Sequence, residues 1–390
     1  MLYVKPDYYN KFKCIADKCE ATCCAGWQIV IDEASMERYE KEPGRYGEIL
    51  RERIDWKEGV FKQDGCKRCA FLNPDNLCDM YKHLGEESLC VTCTNYPRHI
   101  EEFENQREIT LAISCPEVAR IILSQKEPVS FWEEEVESED EEFEDFDPFF
   151  FSYLEDARAI MLTILQNRVL SISVRVALIQ NMAEEMQEII ENAELFELAD
   201  VFEKYEDEDF LANAAARIQD DVEVFHESAS ESFRYSKAVF GRLYELEYLS
   251  DDWEPYLEEC WEVLYGKKAK GYQERHEKFR IWCTQQADEN TENIYGVPEE
   301  SEKIDIKIIL EQLLVYFIFT YFCGAVYDDN VIGKVKMSVD SVYIIYEMIA
   351  AMWMEQGQMI SQKDIERIVY RYSRELEHSD LNLEIMEELQ

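Results

Sequence analysis

The sequence predicts a mainly α protein in two parts: a cysteine-rich metal-binding N-terminal module with little strand, then an irregular α-helical bundle. Three observations carry this. Ten of the 13 cysteines fall within the first 115 residues, leaving Cys260, Cys283 and Cys323 for the rest. A like-charge run from Glu133 to Asp147, closed by Pro148, reads as a solvated linker, with Phe143 and Phe146 as its only docking groups. Beyond it, apolar residues recur at three- and four-residue spacing and Gly and Pro become scarce. The expected division is residues 1–127 for the cysteine-rich module, 128–148 for the acidic linker and 149–390 for the helical domain.

Tyr3 to Lys13 is an aromatic and basic approach to the first cysteine. Trp27 to Ile31 alternates bulky apolar and other residues, a short-strand pattern. Asp32 is placed to cap a helix over Glu33 to Lys41 that Pro43-Gly44 closes, with a further helical piece around Tyr46 to Ile54. Asp64-Gly65 and Asn73-Pro74-Asp75-Asn76 are turn chemistry. Asp79 to Leu89 is a short helix candidate and Glu108 to Ile113 a second strand. Pro116 at a first helical position, with Cys115 at the cap, starts a helix that ends by Ser124. In the bundle, Phe150, Leu154, Ala157, Met161, Ile164 and Leu165 mark one helix face. Val176–Ile190, Phe233–Leu249, Tyr256–Tyr265, Ile304–Tyr327, Val342–Met354 and Asp364–Leu376 repeat the theme. No fixed period points to a solenoid.

Hydrophobic content of 47% with 23 Tyr and 20 Phe supports a real core. The net charge of -44 excludes the Lys and Arg stripes that a nucleic acid requires, and disfavours anionic membranes. The apolar run Leu313 to Val326 is shorter than the ~18 residues of a membrane span, so it reads as a buried helix. Met1 to Pro6 carries no secretory pattern, so the expected location is cytoplasmic, where disulfides are rare. An odd cysteine count and the adjacent pair Cys23-Cys24 also fit a disulfide framework poorly.

Metal or redox chemistry is therefore the expectation. Thiolates suit zinc or iron–sulfur clusters. Cys66-x2-Cys69 and Cys90-x2-Cys93 resemble the knuckles of a zinc ribbon, but a ribbon leaves Cys14, Cys19, Cys23, Cys24, Cys78 and Cys115 without a role. The Cys-x3-Cys-x2-Cys spacing of radical SAM enzymes is incomplete, because Gly26 stands where its third cysteine belongs. Cys115 at a helix N-terminus would have its thiolate stabilised by free backbone N–H groups, as a ligand or a reactive thiol, and a buried, inert cysteine is an equal reading. Arg98 and Arg120 are placed to balance a thiolate-rich site or to grip a carboxylate; for Arg120, on a helix, a surface ion pair is the plainer reading. His83 sits in a polar, exposed helix, and His99 also lies among the cysteines. No Gly-rich nucleotide loop, nucleophile elbow or zinc-protease helix is present, so the catalytic residues are unknown from spacing.

Cys19-x3-Cys23-Cys24, Cys69-Ala70-Phe71-Leu72, Leu77-Cys78-x-Met80-Tyr81 and Cys93-Thr94-Asn95-Tyr96-Pro97 resemble the signature of a broad bacterial group of zinc- or iron-chelating domains. The fuller pattern is more specific. Tyr8-x3-Phe12-x-Cys14, Cys23-Cys24-x-Gly26-Trp27-x4-Asp32, Leu84-Gly85-Glu86-Glu87-x-Leu89-Cys90-x-Thr92-Cys93-x2-Tyr96-Pro97-Arg98 and Leu111-x2-Ser114-Cys115-Pro116-Glu117-x-Ala119-Arg120 resemble the flagellin lysine-N-methylase family. These motifs span residues 3–123, and in the helical part the stretch from Leu165 to Arg168, with Arg175, is the most family-like.

The resemblance implies S-adenosylmethionine (SAM)-dependent methylation of lysines on flagellin, or on another lysine-bearing protein, with a 4Fe-4S cluster on the cysteines. Cys19, Cys23, Cys24, Cys69, Cys78 and Cys93 are the first ligand candidates, with Cys14, Cys90 and Cys115 in reserve and Cys66 as a bystander. Arg98 is the residue placed for cofactor binding. The alternative is a non-enzymatic zinc- or iron-binding interaction protein.

Overall fold

A computed structural model describes residues 1–138, 141–287, 304–357 and 359–388. Residues 139–140 of the acidic run lie outside the described residues. The protein is mainly helical, as its periodicity predicts, but the N-terminal part holds more strand than expected. Strands β1 (Leu2–Pro6), β4 (Arg98–Phe103), β5 (Gln106–Leu111) and β6 (Phe131–Glu135) form one sheet in the order β4-β5-β1-β6. β1 pairs parallel with β5, with Val4 opposite Glu108, and antiparallel with β6, with Lys5 opposite Trp132. The approach segment is thus an inner strand, and the expected linker contributes an edge strand. The charge of β6 is solvated as anticipated, since Glu133, Glu134 and Glu135 are exposed.

β5 is buried along its whole length, so its polar side chains need partners inside the protein. Glu108 receives both guanidinium ends of Arg158 from α6 (Pro148–Leu165). Phe131 stacks on Phe319 with ring centroids 4.0 Å apart, and Phe146 packs on Phe151 at 5.2 Å. One hydrophobic core therefore contains Val4, Leu111 and Val118 together with Leu178, Phe317 and Met386, from both sides of the acidic run.

A second, smaller core gathers Ile29, Tyr39, Leu50, Phe61, Cys69, Phe71, Met80 and Cys90. Its elements are short: α1 (Glu33–Lys41), α2 (Gly44–Arg53), the two-residue strands β2 (Ile54–Asp55) and β3 (Val60–Phe61), α3 (Asp79–Leu84) and α4 (Val91–Asn95). The expected helices at Glu33–Lys41 and Tyr46–Ile54 are α1 and α2, and that over Asp79 to Leu89 breaks at Gly85 into α3 and a 3-10 turn. Trp27 to Ile31 forms an isolated bridge at Val30–Val60 rather than a strand.

The bundle runs from α5 (Pro116–Leu123) and α6 through α7 (Ile172–Glu191), α8 (Leu198–Glu206), α9 (Glu208–Glu227), α10 (Ala229–Gly241), α11 (Trp253–Tyr265) and α12 (Ala269–Ala287). It continues with α13 (Ile306–Tyr321), α14 (Val331–Glu355), α15 (Gln362–Glu377) and α16 (Asp380–Glu387). Ile306–Tyr327 is long and apolar enough to cross a membrane by composition, yet 89% of its most apolar window is buried within the protein, so it is a core helix here. Glu311 on α13 is fully enclosed and held by Arg168 (2.8 Å) and Arg175 (2.7 Å), which gives the family-like Leu165–Arg175 stretch a structural task.

Candidate active site between the cysteine layer and helix α15

All 13 cysteines are free thiols. Short-range order around them comes from backbone pairing. The Cys69 N–H donates to Cys24 O at 2.8 Å, and Gly26 N–H donates to Lys67 O at 3.0 Å. Gly26 has φ +91°, a left-handed conformation that a side chain would resist, which accounts for a glycine in the Cys23-Cys24-x-Gly26 turn. Asp32 fixes the other side. One carboxylate oxygen caps α1 through Ser35 N–H and the other accepts Val91 N–H at the start of α4, each at 2.9 Å. Burial works against the Asp32 charge, yet these N–H donors hold its carboxyl below the ordinary range. A single carboxylate thus anchors the loop bearing Cys23 and Cys24 to the one bearing Cys90 and Cys93.

The thiols fall into two neighbouring groups. Cys69 and Cys90 are in the small core, with Cys24, Cys78 and Cys93 packed against it. A charge on Cys24 is felt at Cys69, Cys78 and Cys93. Cys14, Cys19, Cys23 and Cys115 sense one another on the other side. Among the nine candidate ligands, the structure therefore brings Cys24, Cys69, Cys78 and Cys93 together with Cys90, while Cys19 and Cys23 fall with Cys14 and Cys115. Cys66 is exposed.

Across the two groups, the Cys23 thiol hydrogen-bonds Cys24, and within the first the Cys93 thiol hydrogen-bonds Cys90. These bonds lower Cys24 and Cys90 to about 7 each, and push their donors up. Burial raises Cys69 to about 12. Among the described residues, no three His, Cys, Asp or Glu side chains close on a single metal ion.

Cys115 follows the buried, inert reading. It does cap α5, and the N–H groups of Val118 and Glu117 favour its thiolate, but burial outweighs them and raises the thiol to about 11. Arg120 forms a surface pair with Glu117 at 2.6 Å. His83 is exposed, and His99 is bonded to Glu101 at 2.6 Å. Arg98 is exposed, with its guanidinium 5.9 Å from the Phe12 ring.

Spacing gave no hint of what faces the second thiol group. The C-terminal end of α15 crosses it. Arg374 donates from Nε to Ser114 O at 3.0 Å and from Nη2 to Ala21 O. His378 Nε2 lies 3.0 Å from Ser114 Oγ, which lies 3.2 Å from the Tyr96 hydroxyl. The His378 ring packs on Trp27 with centroids 4.9 Å apart, and Trp27 packs on Tyr96 at 5.7 Å. Trp27 is itself pinned by its indole N–H to Cys23 O at 2.8 Å. Burial, aided by the Arg374 charge, lowers His378 to about 4, so its imidazole is neutral at pH 7.

One residue earlier, Glu377 accepts hydrogen bonds from Tyr316 and Tyr321 (2.7 Å for Tyr321) and from Ser373. The residue as a whole is only half-buried, but its carboxylate is enclosed by these three hydroxyls. Burial raises its pKa, and the three hydrogen bonds offset this in part. The seam thus combines half-buried aromatic faces, a neutral imidazole and a basic carboxylate beside a group of thiols.

Two comparisons bear on what such a seam serves. Residues 158–390 match the family model for the FliB lysine N-methylase C-terminal domain. The chain is 26% identical over 141 residues to the lysine-N-methylase of Salmonella typhimurium, which covers 34% of this chain and 35% of that protein. It is 27% identical over 138 residues to the flagellar biosynthetic protein FliU of Salmonella muenchen, covering 33% of this chain and 81% of that one. The alignment thus spans about a third of the lysine-N-methylase it matches. No solved structure matches the chain. The domain match takes in more than half of the sequence and includes α15 with Arg374, Glu377 and His378, and by it this chain belongs to the FliB lysine N-methylase family.

Proposed function

We propose that the protein is a cytoplasmic protein-lysine N-methyltransferase that uses SAM, carries a 4Fe-4S cluster and acts on surface lysines of flagellin. The observation that carries this is the match of residues 158–390 to the lysine N-methylase domain. The names of the Salmonella relatives, one a lysine-N-methylase and one a flagellar protein, agree with it.

The donor set fits an iron–sulfur cluster. Free thiols converge from four loops, and two of them, Cys24 and Cys90, are already close to ionisation at pH 7. Thiolates are the ligands that such a cluster takes. Cys24, Cys69, Cys78 and the Cys90/Cys93 pair would hold it. When bound, SAM would supply an electrophilic methyl group, and the cluster would hold together the loops that carry its ligands.

The chain's own residues meet the remaining demands. A lysine ammonium has an ordinary pKa of ~10.4 and must lose a proton before it can attack. The faces of Trp27 and Tyr96 receive a cation, and the neutral His378 adds no positive charge to repel it. Desolvation in the seam lowers the ammonium pKa. Glu377, raised by burial, accepts the proton through the hydroxyls of Tyr316 and Tyr321. The seam would thus present a neutral amine, its lone pair free, to the donor's methyl group.

The test is transfer of a labelled methyl group from SAM to flagellin by anaerobically purified protein. Label on flagellin lysines is the expected result. If cluster-replete protein labels neither flagellin nor any other cell protein, the enzyme reading fails and a metal-binding interaction protein remains.

A further inference from the structure

A cavity of about 310 Å³ opens beside the loop joining Cys19 to Cys23, against α15. Its walls include Arg367, Arg371 and Arg374, the aromatic rings of Tyr370 and Trp253, and the carboxylate of Glu375. Three guanidiniums on successive turns of one helix face stand out in a chain of net charge -44. Two of them have weak partners: Arg367 pairs with Glu20 at 3.2 Å and Arg371 with Asp252 at 2.9 Å, and those carboxylates are 51% and 76% exposed. Such water-facing pairs contribute little and exchange readily for a ligand.

Arg374 has no ion pair among the described residues. Its bonds to Ser114 O and Ala21 O fix the guanidinium plane and leave Nη1 uncommitted. Anions are provided as well. Glu375 is 2% exposed and held by Leu249 N–H at 2.7 Å, and Asp252 lines the rim. Trp253 is 1% exposed and forms an apolar back wall.

Fixed cations beside fixed anions match a zwitterion. The volume is at the lower end of small-molecule sites, which run from ~300 Å³ upwards. We propose that this cavity seats the methyl donor, with Arg374 and Arg371 taking its carboxylate and Glu375 and Asp252 its ammonium. The assignment rests on the reading of the protein as SAM-dependent. It also brings the donor to the loop whose cysteines border the seam, because Ala21 lines the cavity while Trp27 is pinned to Cys23 O.

The test is calorimetric binding of S-adenosylhomocysteine to the anaerobically purified chain. Wild type is compared with Arg374→Gln, Arg371→Gln, Arg371→Lys and, as a control, Arg217→Gln on the exposed face of α9. Arg374→Gln is expected to raise Kd about tenfold, as loss of a charge-assisted hydrogen bond to a carboxylate does. Arg371→Gln should raise it several-fold, with partial recovery in Arg371→Lys and no change in Arg217→Gln. Because Arg374 also ties two loops together, the Arg371 pair carries the result if Arg374→Gln melts early. Wild-type affinity in both Gln variants would overturn the cavity assignment and leave the methyl-donor reading standing. No binding to wild type would remove both.

Discussion

Glu311 on α13 is the position where a substitution should be most costly for the fold. Its side chain is 0% exposed and receives Arg168 Nη2 at 2.8 Å and Arg175 Nη1 at 2.7 Å. Arg175 is itself 4% exposed, whereas Arg168 is 35% exposed and can turn to water. Glu311→Ala therefore strands one fully buried guanidinium. Removing one partner of a buried pair costs about 3–5 kcal/mol. With an unfolding entropy of ~2.1 cal/mol/K per residue, a chain this long loses roughly 4–6 °C of Tm. Differential scanning calorimetry reads the shift. The double variant Glu311→Leu with Arg175→Met removes both charges and should recover most of the loss, because an apolar pair is often as stable as the ion pair it replaces. A Tm within a degree of wild type for Glu311→Ala would refute the buried-clamp reasoning, as would a double variant no better than the single. The clamp reaches function as well, because the same helix presents Tyr316 and Tyr321 to Glu377.

Cys69→Ser should lose most of the bound iron, measured per chain after anaerobic purification, whereas Cys66→Ser, at an exposed thiol, should keep it; equal iron in both would contradict the ligand grouping. His378 supplies a pH signature. Its folded-state pKa of about 4 lies below the ordinary 6.5, so the unfolded chain binds its proton first as pH falls. Stability from this group is complete above pH 6.5 and declines toward pH 4. Relative to His378→Gln, wild type should lose up to ~2 kcal/mol between pH 7 and 5, read by denaturant titration; a constant difference would place His378 in water.

Much of the fold was legible where local chemistry decides it. Asp32 caps α1, Pro116 starts α5, and the unbroken apolar run from Leu313 becomes the buried α13 and the 3-10 turn after it. α9 and α12 escaped notice because charged residues interrupt their apolar pattern. β1 escaped because a short aromatic and basic segment becomes a strand only through partners more than a hundred residues away, at Gln106 and Phe131.

The cysteines announced a site, but not its division, since the adjacent Cys23 and Cys24 serve different groups. The seam was the least readable part. His378 meets Ser114 across 264 positions, and nothing local marks either as a partner of the other. The one available signal was the spacing of Arg367, Arg371 and Arg374 on one helix face in a strongly acidic chain.

Whether the seam performs the transfer is tested most directly by Glu377→Gln. Glutamine keeps the shape and one acceptor oxygen for Tyr316 and Tyr321. Because burial raises the Glu377 pKa, its stabilising contribution belongs to low pH and is lost as pH rises through the folded value. The variant should therefore be at least as stable as wild type at pH 8. Methyl transfer from labelled SAM to flagellin, measured under single turnover with matched iron content, should fall about 100-fold or more, the usual worth of a positioned base. Wild-type transfer by a folded, iron-replete Glu377→Gln protein would contradict the account.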